Sequence, residues 1–449
     1  MFETTGNSNH ARQIQLPLGE RVPAPFWRPI HYLGSKLRLA DSIRNLLAEL
    51  DPSCGTVCDL FAGSGTVSMA LRNERNVIAS DIQEYSRVLC SALLCPAHLD
   101  DRTIACLLES TEHRRLKREK GLQPLLDYEQ RAIDRALTEP TFLCDLVEHG
   151  SLLSLDHTNG SLGVALGAVA PHVEKQADAL MMTRYFGGIY FSYRQSLFID
   201  CARAAIDELP QSLRETCLSA LLSTTSSIVN TVGKQFAQPM RPRRKDGTIK
   251  QHLISQMCRD RCEDPRRVFL GWLTKYSELS RTGNHQVIRG DYRDVLRRLH
   301  NVRVIYADPP YTRDHYSRFY HVLETLCLDD SPDVSTTLLT GSGEISRGFY
   351  RKDRHQSPFC IKSQAPRAFA ELFAGSKALG VPLLVSYSPF VKNGHPRLLT
   401  VEAVAELASQ YYSHVEVLTA GCIAHSKLNR SDLHLDATAN AEVFMVCRT

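Results

Sequence analysis

The chain has no apolar run long enough to cross a bilayer and no C-x-x-C pair, although 14 of its 449 residues are cysteine. A membrane-spanning helix needs about 20 consecutive apolar residues, so no membrane partner is expected. The polar opening, MFETTGNSNHARQIQ, lacks the apolar middle of a secretory signal. Without paired cysteines or a Cys/His cluster at zinc spacing, no metal is expected either. Cys54/Cys58 and Cys258/Cys262, each four apart, read as coincidence. The cysteines are expected to be reduced and the compartment cytoplasmic. No repeat of fixed period and no low-complexity tract interrupts the chain.

With 43% hydrophobic and 23% charged residues, the composition is that of an ordinary globular protein, and the length allows two or three domains. A formal net charge of +4 neither demands nor excludes a nucleic-acid partner. The distribution says more. Between Lys234 and Leu270 stand ten Lys/Arg against four acids. Such a local excess is an electrostatic footprint for polyanions, or a solvated surface. Arg241, Arg243, Arg244 and Lys245 sit in a Pro/Gly loop within it and are read as candidates for DNA backbone or groove contact.

Residues 1–25 read as a flexible arm. Leu39, Ile43, Leu46, Leu47 and Leu50 then fall at helical spacing, and Asp51-Pro52 ends the helix. GTVCDLFAGSGTVSMALRN follows as strand, glycine turn and helix, and NVIASDIQ as a second strand ending in an acid. Residues 101–285 change character. TIACLLESTEHRRLKREKG, PLLDYEQRAIDRALTE, QSLFIDCARAAIDEL and RETCLSALLSTTSSIVNTV read as helices, with TNGSLGVALG, YFGGIYFS and QPMRPRRKDG as loops between them. The strand pattern resumes at VRVIYADPPY and continues in PLLVSYSPF and AEVFMVCRT. The expected fold is therefore α/β: a Rossmann-like open sheet, first part 26–100 and second part 286–449, interrupted by a mostly helical insertion. Its ligands are expected beyond the carboxyl ends of the strands.

Five short stretches carry chemistry. In DLFAGSG (Asp59 to Gly65), Gly63 and Gly65 let backbone approach a ligand closely. The spacing F-x-G-x-G, with no following Lys-Ser/Thr, speaks against a P-loop and weakens a dinucleotide reading. Asp81 ends the next strand, where a carboxylate can accept both hydroxyls of a ribose, or simply end a strand. Asp291 and Tyr292, in IRGDYRDV, suit the amino group of an adenine; Asp291 suits an N-cap equally. HYLGSK places Tyr32, Gly34 and Lys36 at a helix start, with Lys36 able to meet a carboxylate on a cofactor tail. Finally, Asp308-Pro309-Pro310-Tyr311 closes a strand. Proline fixes φ and constrains its predecessor, so an acid, free carbonyls and a ring are held at one corner. That corner suits a flat molecule bearing an amino group, or merely terminates the strand.

In this order, Tyr32/Gly34/Lys36, Phe61/Gly63/Gly65, Asp81, Asp291-Tyr292 and Asp308-Pro309-Pro310-Tyr311, set around an insertion, resemble the Dam-like DNA N6-adenine methyltransferases. The resemblance covers roughly 28–100 and 285–325 and, more loosely, 382–388; MTRYFGGIYFSYRQ is a distant echo of a stretch in the family's insertion. It implies an S-adenosylmethionine-dependent methyltransferase sheet whose insertion, 101–285, recognises the target in double-stranded DNA. It implies cofactor contacts by Tyr32, Gly34, Lys36, Asp59, Phe61, Gly63, Gly65, Asp81, Asp291 and Tyr292. Asp308 and the Pro309 carbonyl would accept the two N–H bonds of a flipped adenine, and Tyr311 would stack on it. His315 and Arg318 would touch phosphate or base, whereas Tyr316 and His321 read as packing. A cognate restriction or defence system is a possible companion. No Pro-Cys nucleophile motif is present, which speaks against cytosine C5 methylation. The same corner suits cytosine N4 or adenine in RNA, and a DNA-binding module with a decayed site is the third reading. The segment 338–363 reads as a lid, a DNA-facing loop or an idle surface loop.

Overall fold

The computed structural model describes residues 27–153, 160–336, 345–388, 398–419 and 442–448; the expected arm at 1–25 lies outside them. Seven strands form one sheet: β1 Val57–Asp59, β2 Val77–Asp81, β3 Gln286–Arg289, β4 Val304–Ala307, β5 Leu383–Tyr387, β6 His414–Thr419 and β7 Val443–Arg448. The order across the sheet is β3-β2-β1-β4-β5-β7-β6. The pairs from β3 to β5 are parallel, and β7 is antiparallel to both its neighbours. The fold is the Rossmann-like α/β architecture expected from the sequence.

Strand alternation sorts the core. Val57, Val77, Val304, Tyr306 and Leu384 face one side with Ile43 and Leu47 of the helix Ala40–Leu50. Cys58, Ile78, Ile305, Leu383 and Val385 face the other with Leu296, Phe369 and Leu372. This is the period of two that a pleated sheet imposes on its side chains. All residues of β1, β4 and β5 are buried, as central parallel strands covered on both faces must be.

Between β2 and β3 the chain is helical. Tyr85, Val88 and Leu89 of Glu84–Leu94 share one apolar core with Leu107 and Leu108, with Phe198, Leu221 and Leu222, and with Val322 and Leu323 in a helix that follows β4 and its proline corner. A second core lies within the insertion and gathers Leu125, Leu146, Leu166, Leu197 and Ile254. The stretch TNGSLGVALG corrects the sequence reading: Gly160–Glu174 is a helix, not a loop. Leu162, Ala165, Leu166, Val169 and Val173 recur at helical spacing and are buried. That burial outweighs the helix cost of glycine, about 1 kcal/mol each. QPMRPRRKDG is a loop, tied by an isolated bridge between Arg243 and Ile249.

No helix among the described residues is long and apolar enough to cross a membrane. No group of three or more His, Cys, Asp or Glu among them is placed to hold a metal.

Candidate active site

Register sets the site. Asp59 of β1 pairs with Ala79 of β2 on one side and Tyr306 of β4 on the other. Asp81, the glycine turn and Asp308 therefore leave three adjacent parallel strands at their carboxyl ends. One cleft opens there, and Tyr32, Gly34, Lys36, Asp59, Phe61 and Asp81 all line it, as do Asp291, Tyr292, Asp308 and Pro310. Gly63, Gly65, Pro309 and Tyr311 are not part of its lining.

The turn between β1 and the helix Thr66–Leu71 needs its glycines. Gly63 has φ +54 and a Cβ there would stand 2.5 Å from the Tyr32 hydroxyl; Gly65 has φ +73 and a Cβ would stand 2.7 Å from Leu93 Cδ1. Side chains are strained in that backbone region and have no room in either place. The Asp81 carboxylate fixes the turn: it accepts from the backbone N–H of Gly63 (3.0 Å) and of Gln83 (2.9 Å). Burial raises its pKa against these hydrogen bonds.

Asp59 lies beneath the turn, buried, and accepts from the Ser68 hydroxyl at 2.6 Å. Burial raises its pKa to about 7, the Ser68 bond opposes this, and nearby Asp308 and Asp81 add to it. A carboxyl whose folded pKa lies above its unfolded value binds more protons when folded. Its contribution is thus most favourable below about pH 4 and is lost as pH rises toward 7. Asp59→Asn is expected to remove that dependence. Urea unfolding at pH 5 and pH 8 should show wild type losing stability relative to the variant, by on the order of a few kcal/mol. A constant difference between the two proteins would contradict the placement of Asp59.

Around the cleft the rings are packed in two groups. Phe61, Tyr292 and Phe359 make one wall, with centroids 5.6 Å (Phe61–Tyr292), 5.5 Å (Phe61–Phe359) and 5.2 Å (Tyr292–Phe359) apart. Tyr32 stacks on Tyr320 at 4.9 Å and lies 5.6 Å from Tyr316. Tyr316 and Tyr85 also line the cleft. Asp291 caps the helix Tyr292–Arg298, accepting from the Arg293 N–H at 3.0 Å, and faces the cleft as well. Its pKa is lowered: burial opposes, but Arg293 dominates through hydrogen bonds and charge.

Lys36, one of the cleft-lining residues, also meets two acids of the chain itself. Its ammonium, with the side chain 5% exposed, stands 2.8 Å from Asp308 and 3.2 Å from Glu442, itself 3% exposed. Burial pulls its pKa down, but Asp308 and Glu442 outweigh this and hold it well above the ordinary lysine value. Nothing in the sequence pointed to Glu442, which precedes the last strand. Tyr311 is buried, packs edge-on to Tyr387 at 5.2 Å and has the Lys36 ammonium 5.8 Å from its ring centroid. Tyr306 and Tyr316 are rings that share the cleft lining with Asp308.

Of the basic loop, Arg241, Arg244 and Lys245 are exposed. Arg243 bridges Asp145 at 2.6 Å and Glu148, so its charge is spent inside the insertion. Arg261 and Lys234 are likewise paired, with Glu129 and Asp260. His315 and Arg318 are partly buried beside the cleft, and His321 is fully buried. The segment 345–363 supplies His355, Ser357, Pro358 and Phe359 to the lining; 338–344 lies outside the described residues. These wall residues, like Tyr85 and Gln83, follow no motif in the sequence.

Comparison with known proteins agrees with the motif order. Residues 32–121 and 259–340 match the family described as D12 class N6 adenine-specific DNA methyltransferase. The unmatched stretch between them holds most of the insertion's own core. The chain is 23% identical over 367 residues to modification methylase LlaI of Lactococcus lactis subsp. lactis, covering 80% of this chain and 46% of that protein. It is 23% identical over 360 residues to the type II methyltransferase M.NlaIII of Neisseria lactamica, covering 76% and 79%. The chain thus spans about half the length of the first relative and most of the second.

Proposed function

Starting from the D12 class match on both flanks, we propose that this chain is an S-adenosylmethionine-dependent enzyme that methylates N6 of an adenine flipped out of double-stranded DNA. We further propose that it is the modification partner of a restriction or defence system, as the names of its relatives suggest. The observation that carries the reading is the convergence of the glycine turn, Asp81 and Asp308 on one cleft.

The residues present fit the cofactor. Ala62 and Ser64 of the glycine turn line the cleft, Asp81 offers acceptors for a ribose, and Phe61, Tyr292 and Phe359 offer an apolar wall for an adenine, with Asp291 in the same lining. When bound, S-adenosylmethionine supplies an electrophilic methyl group. The chain does the rest by positioning and electrostatics. Asp308 and the Pro309 carbonyl accept the two N–H bonds of the target amine, which concentrates lone-pair density on the nitrogen. Lys36 holds Asp308 and balances its charge, and Glu442 holds Lys36. The rings at the corner hold the base, with Tyr316 in the cleft wall and Tyr311 behind it. A stacked base cannot reach such a corner, so it leaves the duplex at a cost of a few kcal/mol.

The insertion, with its exposed Arg241, Arg244 and Lys245, is assigned to DNA contact. The test is incubation with methyl-labelled S-adenosylmethionine and mixed-sequence duplex, followed by digestion to nucleosides. Label in N6-methyldeoxyadenosine is the expected result. Label in N4-methyldeoxycytidine, or transfer to RNA alone, would move the substrate while keeping the corner; no label would reject the activity.

Asp81→Asn is expected to weaken S-adenosylmethionine binding about 10- to 100-fold, the loss of one or two hydrogen bonds to a charged acceptor. Titration calorimetry reads this directly, and unchanged affinity would remove Asp81 from the cofactor site.

A further inference from the structure

Nine buried or half-buried arginines among the described residues have carboxylate partners. Arg351 reaches Asp330 at 2.7 Å and Asp353 at 3.0 Å, and Arg261 reaches Glu129 at 2.8 Å. Seven among the described residues do not: Arg72, Arg118, Arg184 and Arg214, which are scattered, and Arg318, Arg347 and Arg354, which share one region. Arg318, Arg347 and Arg354 have no ion pair among the described residues, though all three are only partly exposed.

Arg318 and Arg354 meet at Tyr350, and Arg347 precedes that residue by three positions. The Arg318 guanidinium lies 5.0 Å from that ring's centroid and that of Arg354 5.7 Å. The Tyr350 hydroxyl donates to the Ala237 carbonyl and Arg347 donates to that of Met240 at 2.9 Å, so the segment 345–354 is docked on the start of the basic loop. Arg241 of that loop is close enough that its charge, after burial, lowers the pKa of Arg347. Buried nitrogens here lack a hydrogen-bond partner among the described residues, including Arg318 Nε and His315 Nδ1. An unpaired buried donor or acceptor costs free energy, and gathered like charges repel one another. The bare protein carries both burdens at one place.

That place adjoins the catalytic corner. Ser317 and His355 line the cleft, and each is the chain neighbour of one of these arginines. The Ser317 hydroxyl donates to the His355 carbonyl, which joins the two segments. A base extruded into the cleft stays bonded to its sugar and phosphates, so anionic backbone must come to the rim. Guanidinium forks match phosphate oxygens in pairs, and Tyr350 orients two of those forks.

We propose that Arg318 and Arg354, arrayed on Tyr350, together with Arg347 of the same segment, clamp the sugar-phosphate backbone of the strand that gives up its base. The proposal rests on the DNA-methyltransferase reading and adds to it the segment 345–354, which no motif marked.

The test uses the full chain and a fluorescein-labelled mixed-sequence duplex, with log Kd followed against log salt. Each phosphate contact contributes about 0.9 to the slope. The double variant Arg347→Gln/Arg354→Gln is expected to lower the slope by about 2, and Arg318→Gln by about 1, with S-adenosylmethionine affinity unchanged. Arg347→Lys/Arg354→Lys keeps the charge and should keep the slope while weakening binding. Should the double Gln variant fail to fold, Arg318→Gln alone decides. A wild-type slope in folded variants of an enzyme that methylates adenine would overturn the clamp and spare the activity. A wild type that transfers no methyl to DNA would overturn the activity first.

Discussion

Asp308→Asn is expected to slow single-turnover methyl transfer by about 10²- to 10³-fold, with S-adenosylmethionine affinity within about twofold of wild type. The magnitude is that of removing one preorganised electrostatic contact from a reacting centre. The substitution keeps the shape of the side chain. It removes the negative charge toward which a developing positive amine is drawn, and it turns one acceptor into a donor that opposes the amine's own N–H. The glycine turn and Asp81 stand on β1 and β2 and do not depend on Asp308 for their hydrogen bonds. Rapid quench with labelled cofactor separates the chemical step from product release. A rate within threefold of wild type would place the chemistry elsewhere.

Lys36→Met is expected to destabilise the fold by about 3–5 kcal/mol, the range for removing one partner of a buried ion pair. The cation stands between Asp308 and Glu442, the latter almost wholly buried. Without it two carboxylates face each other with no counter-charge from that side chain. The pH dependence has a defined sign. Lys36 has its pKa raised above 10.5 in the fold, so its stabilisation is complete below that value and is lost only as pH rises through the folded one. The penalty in urea unfolding should thus persist from pH 6 to pH 9, and the stranded carboxylates, protonated more easily once buried without a partner, should make it larger at the upper end. Adding Glu442→Gln should recover part of it by removing one of the stranded charges. A penalty that vanishes by pH 9, or a second substitution that deepens it, would contradict the triad.

Much of the sheet and the cleft was legible because their signals are local. Gly63 and Gly65 announce a turn with no room for side chains, and the two prolines after Asp308 announce a stiff strand end. The motif order carried the βαβ connectivity, and parallel register then brought Asp81, the turn and Asp308 together without further information. What escaped was set by contacts distant in sequence. Glu442 reaches Lys36 only because β7 inserts between β5 and β6. Phe359 and His355 reach the cleft because their loop folds back on Tyr292 and Ser317. Charge counting overstated the basic loop, since a sequence cannot say that Arg243 is already paired with Asp145. Conversely, Arg347 and Arg354 lie in a stretch with acids nearby, and only the pairing of Arg351 with Asp330 and Asp353 shows which cations are left over.

On the proposed function, one corner grips the amino nitrogen of an extruded adenine beside the cofactor's reactive end. The most direct test of that grip is the structure of the complex with S-adenosylhomocysteine and a methylatable duplex. N6 of a flipped adenine should donate to the Asp308 carboxylate and the Pro309 carbonyl, with the cofactor's sulfur on the same side of the cleft. A cofactor seated on the glycine turn with its sulfur facing away from Asp308, or an adenine seated elsewhere, would contradict it.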